Sequence, residues 1–334
     1  MAGRTWGYWT SGKLDILRRY LDAFTTTTKN KVSERIYIDA FAGQAENRDR
    51  LTGEAIEGSA RIALSIDDPQ FTRLHFFETV ERAPKLEAVL RAQFPRRQFE
   101  VHGGDCNELI PNVLGTLRDV SWAPTFAFVD PNGMEAAWST LAALADFRRH
   151  RKTKVELWLL FAPPMFSRLL RVDGSEVRPQ DEESIDRMYG TRDWRFIYQA
   201  RLASDIERSD AREEYLNLMR WRLENDLGYR WTHPLEVRNE RNSPIYYMVF
   251  ATDHEVGTTI MSDLYARAAA EFPAMRKDAR RLRRRLEEKV HGVQSLFGDE
   301  ESLLDAPAKP GERFYEHEPP GRPWFLTSGT GSDA

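Results

Sequence analysis

Tyr37-Ile38-Asp39-Ala40-Phe41-Ala42-Gly43 is a short apolar run that ends in a carboxylate and then a glycine turn. Further runs of the same kind stop at Phe77-Glu78, at Gly103-Gly104-Asp105 and at Asp130-Pro131-Asn132-Gly133. In open α/β sheets, ligands bind beyond the carboxyl ends of the strands. Four acidic or glycine-bearing strand ends in chain order therefore predict an α/β domain with a nucleotide-type cofactor pocket.

The surrounding pattern supports that reading. Runs of β type cover 35–41, 74–78, 99–102, 125–130 and 155–161, and helical patterns fall between them at 58–66, 81–94, 107–117 and 138–149. Such alternation predicts parallel βαβ units in a doubly wound sheet. An amphipathic helix is expected ahead of them over 13–24, with Leu14, Leu17, Leu21 and Phe24 on one face and Ser11 as its cap. After Phe161, Ala162-Pro163-Pro164 breaks the pattern, and a polar, helix-rich insertion follows, with a packed helix over 211–227. Strands at 235–238 and 245–252, joined by a turn-like segment, predict a closing antiparallel hairpin. Two helices are expected next, over 256–272 and 274–290. From Gly298 the chain is rich in Gly, Pro, Ser and charge, a composition that predicts disorder.

Composition narrows the function classes. The 334 residues are 41% hydrophobic and 30% charged, and 48 Lys plus Arg against 52 Asp plus Glu leave a net charge of −4. No global positive field draws nucleic acid, so any such contact must be local. A single cysteine, Cys106, excludes an intramolecular disulfide or a cysteine zinc cluster, and the seven histidines show no metal-ligand spacing. Nothing at Met1-Ala2-Gly3-Arg4 resembles a signal peptide and no run is long and apolar enough for a membrane span, so a cytoplasmic location is the expectation by default.

Gly43 lets the backbone turn against a bound cofactor. A dinucleotide fingerprint would need G-x-G-x-x-G opening a helix with an acid about 20 residues on. Gly43-Gln44-Ala45 lacks the later glycines and Glu78 comes much further along, which disfavours hydride transfer. An acid ending the second strand can accept both hydroxyls of a ribose, and one ending the third can accept an adenine amino group. Glu78 and Asp105 stand there, although either also reads as a helix N-cap. S-adenosylmethionine presents a cation, a ribose and an adenine, and the ordered set Asp39, Glu78, Asp105 and Asp130 meets all three.

The stretches Tyr37–Gly43, Gly58-Ser59-Ala60, Gly104-Asp105-Cys106-Asn107, Phe128–Met134 and Phe250-Ala251-Thr252-Asp253-His254 resemble the three-Cys-motif partner proteins (TcmP), from about Trp9 to Met261. That family resembles class I S-adenosylmethionine-dependent methyltransferases and is named for genes lying beside one for a protein with a three-cysteine motif. The resemblance implies a Rossmann-like methyltransferase sheet with a C-terminal antiparallel hairpin, a helical insertion and C-terminal helices. The residue patterns divide the chain into an N-terminal helical segment (1–30), a cofactor core (31–162), the insertion (163–230), the hairpin (231–255), helices with an arginine-rich face (256–297) and a disordered tail (298–334). Asp39, Phe41, Gly43, Glu78, Asp105 and Cys106 are the expected cofactor site, Cys106 touching the adenine edge or serving as a buried filler, and the resemblance implies a three-Cys-motif protein as partner. Ala45 departs from the family's second turn glycine.

Asp130 and Asn132 are the candidate catalytic residues, orienting an amino or hydroxyl acceptor beside the methyl group. Amino-methyltransferases of nucleic-acid bases carry two prolines and a stacking aromatic at a similar place, and this chain has Asp130-Pro131-Asn132-Gly133 instead, which also reads as a tight turn. Arg276, Lys277, Arg280, Arg281, Arg283, Arg284 and Arg285 suit nucleic-acid phosphates, or form the solvated side of a packed helix. His254 reads as a general base or, within Thr252-Asp253-His254-Glu255, as part of a capping box. Trp6, Tyr8 and Trp9 stack on a base or anchor the terminus. The expected activity is methyl transfer, to RNA, tRNA or DNA; the alternatives are a non-catalytic binding partner of the three-Cys-motif protein, and a methyltransferase of small molecules or proteins.

Overall fold

A computed structural model describes residues 5, 6, 8–49, 53, 55–148, 150–171, 176–291 and 316–327. Its centre is a seven-stranded sheet: β1 (Ile36–Asp39), β2 (Arg73–Glu78), β3 (Glu100–Gly103), β4 (Thr125–Val129), β5 (Glu156–Phe161), β6 (Trp231–Arg238) and β7 (Pro244–Thr252). The spatial order is 3-2-1-4-5-7-6. β1 to β5 are parallel, and β7 enters antiparallel between β5 and β6. Adjacent side chains on a strand point to opposite faces, so the nearly unbroken apolar runs of the central strands serve two cores. Ile36 and Ile38 face one core, with Ile110 and Leu144; Tyr37 faces the other, with Leu17, Leu86 and Phe250.

Helices cover both faces, as doubly wound sheets require. α1 (Tyr8–Thr28), α2 (Ser59–Ser65), α3 (Ala83–Gln93) and α9 (Glu255–His291) supply residues to the Tyr37 side. α4 (Cys106–Thr116) and α5 (Trp138–Asp146) lie on the other, joined by α6 (Pro179–Tyr189), α7 (Trp194–Leu202) and α8 (Arg208–Asn225) of the insertion. The chain changes faces between β1 and β4, and this Rossmann-like switch point is where a crevice opens beyond the strands.

Several expectations need correction. The first helix begins at Tyr8, so Ser11 lies inside it and caps nothing. After Gly43 the chain forms part of a small separate sheet that the sequence pattern does not predict, of Thr5–Trp6, Glu46–Asp49 and Ala55–Glu57. β6 starts earlier than expected and carries Pro234, which an edge strand tolerates because its outer N–H needs no partner. The two expected C-terminal helices are one, α9, with Pro273 inside it, held down on both sides by buried Phe272 and Arg276. Part of the expected disordered tail is packed: Phe325 stacks on Phe196 at 5.2 Å between ring centroids, and Asn217 donates to the Gly321 carbonyl at 2.8 Å. Residues 292–315 and 328–334 lie outside the described residues.

Candidate functional site

One cavity of about 580 Å³ opens beyond the carboxyl ends of β1 to β4, a size suited to a cofactor-sized ligand. Phe41, Gly43, Glu78, Asp105, Cys106, Asp130 and Asn132 all line it. These positions, spread over nearly a hundred residues, meet because parallel strands bring all their carboxyl ends to one edge of the sheet.

Asp39 does not line the cavity. It is fully buried beneath it, accepting from the Tyr37 hydroxyl at 3.2 Å and from the Phe41 amide at 3.4 Å. Burial pushes its carboxyl up to about 7, against hydrogen bonds from Ser59, Tyr37 and Phe41 and with the Asp130 charge adding to the rise. Its place is to hold the turn that presents Phe41 and Gly43. Gly43 has φ +65°, a conformation for which glycine is favoured. Ala45 is buried and outside the lining, so its methyl group does not obstruct the cavity.

Glu78 accepts from the Thr79 amide through Oε1 at 3.0 Å, with Arg82 at 3.7 Å. Asp105 is both cap and cavity residue. Its Oδ1 accepts from the Asn107 amide at 2.9 Å at the start of α4. Asn107 then spends its whole side chain on bracing: Nδ2 donates to Asp105 Oδ1 and to the Glu135 carbonyl, and Oδ1 accepts from the Ala137 amide and the Thr140 hydroxyl, all at 2.8–2.9 Å. The loop after Asp130-Pro131-Asn132-Gly133 is thereby tied to the end of β3. Cys106 is buried at the wall, and burial pushes its thiol up to about 12, so it stays protonated and is no nucleophile at neutral pH.

Asp130 forms an ion pair with Lys13, a residue that sequence reasoning missed. Lys13 is 5% exposed, and its Nζ lies within 6 Å of the Phe128 and Tyr246 ring centroids. The signal was available: Lys13 stands four residues before Leu17 and so shares the buried face of α1. Trp9 and Thr10 from the same helix, Ser59 and Arg82 from α2 and the start of α3, and Arg187 from α6 also line the cavity. Tyr246 lines it too, and its buried hydroxyl has no hydrogen-bond partner. Tyr8 instead anchors the terminus, donating to the Arg238 carbonyl at 2.6 Å.

Other expected residues lie elsewhere. His254 caps α9, its Nδ1 accepting from the Gly257 amide at 3.3 Å while its own amide donates to Thr252 Oγ1 at 3.0 Å. It is outside the cavity lining, and the cap is His254 itself rather than a Thr252–Glu255 box. In the arginine-rich helix, Arg276 is buried and donates to Asn242 Oδ1 at 2.6 Å, Arg280 donates to the Glu240 carbonyl at 3.2 Å, and Arg283 pairs with the Glu240 carboxylate at 2.9 Å. These three hold the β6–β7 turn. Arg281, Arg284 and Arg285 are exposed and Lys277 is half-buried.

No protein-family model matches the chain, and no curated protein matches it. Among solved structures, the chain is similar to the crystal structure of protein LPL1258 from Legionella pneumophila str. Philadelphia 1, of family DUF519. The two share 11% identity with a TM-score of 0.41, over 71% of this chain and 84% of that one. So distant a likeness does not bear on what this chain binds or does. No helix among the described residues is long and apolar enough to cross a membrane.

Proposed function

We propose that this chain is a class I S-adenosylmethionine-dependent methyltransferase, in keeping with its resemblance to the three-Cys-motif partner proteins. The observation that carries the proposal is the convergence of Glu78, Asp105 and Asp130, from the ends of three successive strands, on one cavity at the switch point of the sheet. The cavity has room for the cofactor, and the carboxylates suit its polar groups. Glu78 takes the ribose hydroxyls and Asp105 the adenine amino group. Phe41 and Gly43 form the turn beneath it, with Asp39 as their support, and Cys106 packs at the adenine end. When bound, the cofactor supplies a methyl group activated by its sulfonium. Asp130 and Asn132 would hold the amino or hydroxyl group of the acceptor beside that methyl group, which is positioning catalysis.

Nucleic acid is the proposed substrate class. Trp9 at the cavity offers the stacking ring that is missing after Asn132, and exposed Arg281, Arg284 and Arg285 offer phosphate contacts. A three-Cys-motif protein is the proposed partner. One observation favours the reading as a non-catalytic binding partner: Asp130 is already engaged by Lys13. Calorimetry with S-adenosylmethionine on the unaltered chain and Glu78→Gln tests the cofactor step. Charge-assisted hydrogen bonds are worth about 1.5–3 kcal/mol, so the variant should bind about 10–100-fold more weakly. No binding by the unaltered chain would end the enzyme reading. Transfer of a labelled methyl group to fractionated RNA, DNA and protein then separates the catalytic from the non-catalytic reading.

A further inference from the structure

His75, Glu100 and His102 come together outside the cavity lining, behind the lining residue Phe77, through strand pairing rather than spacing along the chain. β2 and β3 are parallel neighbours, with His75 opposite Glu100 and Phe77 opposite His102. Residues two apart on a strand share a face, so the two histidines and the glutamate project from the same side of the sheet. Glu100 opens β3, whereas the cavity lies beyond the other end of that strand at Asp105.

His75 Nδ1 lies 3.2 Å from His102 Nε2 and 3.8 Å from Glu100 Oε2, and His102 Nε2 lies 3.6 Å from the same oxygen. A point equidistant from three donors at these separations is about 2 Å from each, the length of a zinc bond to imidazole nitrogen or carboxylate oxygen. The ring planes are 21° apart, with Phe77 stacked on His102 at 4.7 Å. Without a metal, the facing nitrogens share one proton in an N–H···N bond.

We infer that His75, Glu100 and His102 form a divalent-cation site of the zinc type that clips edge strand β3 to β2. Two imidazoles and one carboxylate are a borderline donor set of the kind zinc prefers. On binding, the shared proton passes through solvent to the other nitrogen of the ring that carries it, so that both facing nitrogens present lone pairs to the cation and both rings stay neutral. The Glu100 side chain is 66% exposed, so the fourth coordination position is open to water. His75 Nε2 is buried without a hydrogen-bond partner. Such partners contribute about 10–100-fold in metal affinity, so this site should hold the ion more weakly by about that factor than one whose histidine has such a partner.

The test is equilibrium dialysis of the chelator-treated full chain against Zn²⁺, beside His102→Ala and Glu100→Gln. Neither position is buried in a core, so both variants should fold, which circular dichroism checks. The unaltered chain should retain about one equivalent, and His102→Ala should bind at least about tenfold more weakly, the scale of losing one feature of a metal site. Zn²⁺ should raise the melting temperature of the unaltered chain and not of His102→Ala. Co²⁺ in place of Zn²⁺ should show the visible absorption of a four- or five-coordinate ion, a readout that depends on no variant. Absence of uptake, uptake unchanged in His102→Ala, or a six-coordinate water-like Co²⁺ spectrum would overturn the inference.

Discussion

Lys13 and Asp130 form an ion pair in the wall of the cavity. Lys13 is buried and the Asp130 side chain is 21% exposed. Breaking a fully buried pair costs about 3–5 kcal/mol, and the residual solvent at Asp130 brings the expectation for Lys13→Met down to about 1–2 kcal/mol. Adding Asp130→Asn removes the stranded carboxylate and should recover part of the lost stability, read by denaturant melts as a double-mutant cycle. If the proposed activity holds, Lys13→Met should lower kcat more than it weakens cofactor binding, because the pair faces the acceptor and not the ribose. Asp105 combines two places in one carboxylate: it caps α4 and lines the cavity, so the cap does not take it away from the cavity. Asp39 shows the reverse. The motif that carries it was legible, but a strand-end carboxylate can point into the crevice or under it, and only packing around Tyr37 and Ser59 puts it under.

At the scale of elements, the insertion is locked to the Rossmann-like core through Gly190. This residue ends α6 with φ +64°, and a Cβ placed there would lie 2.5–2.7 Å from the Cδ1, Cγ and Cβ atoms of Trp138 at the start of α5. Gly190→Ala combines left-handed strain with overpacking, an expected cost of about 2 kcal/mol or more. A melt of Gly190→Ala beside Gly190→Asn, which tolerates the backbone but not the space, should show both variants destabilised. Little loss in Gly190→Asn would mean that the Trp138 contact yields. Asn107 is the corresponding tie between β3 and the loop after β4. Asn107→Leu leaves the buried Thr140 hydroxyl without a partner, which costs about 1–3 kcal/mol. If the proposed cofactor site holds, it should also weaken S-adenosylmethionine binding in calorimetry, because the Asp105 carboxylate loses its brace.

For the whole molecule, pH acts through buried groups of opposite sign. Burial raises Asp39 and Glu156 to about 7, so between the ordinary carboxylate range and about 7 the folded chain holds protons that the unfolded chain releases. That contribution makes stability fall as pH rises through this window and then level off. Burial lowers His75 and His233 to about 4, so between about 4 and the ordinary imidazole value the unfolded chain binds more protons, and stability rises with pH. The two trends oppose one another, and the unaltered chain should show a shallow profile below neutrality. Glu156 accepts from the Tyr20 hydroxyl at 2.7 Å and from Thr252 Oγ1 at 2.8 Å. Glu156→Gln keeps one acceptor and removes the titration, so its stability relative to the unaltered chain should increase from about pH 4.5 to about pH 7. A difference that stays level with pH would show that Glu156 does not titrate in this range.

The sequence by itself determined the order and type of the core elements, because alternating apolar runs and helical stripes are local patterns that survive without knowledge of neighbours. It also determined which strand ends converge, since Phe41, Gly43, Glu78, Asp105, Cys106, Asp130 and Asn132 do meet at one cavity. The tertiary structure decided the rest, wherever a residue's role depends on what another element places beside it. Lys13 reaches Asp130 only because α1 crosses the end of β4. The arginines of α9 divide into turn supports and exposed charges because the β6–β7 turn lies against one side of that helix. His75 and His102 face each other because β2 and β3 pair in one register, and a one-residue slip would turn one ring to the opposite face.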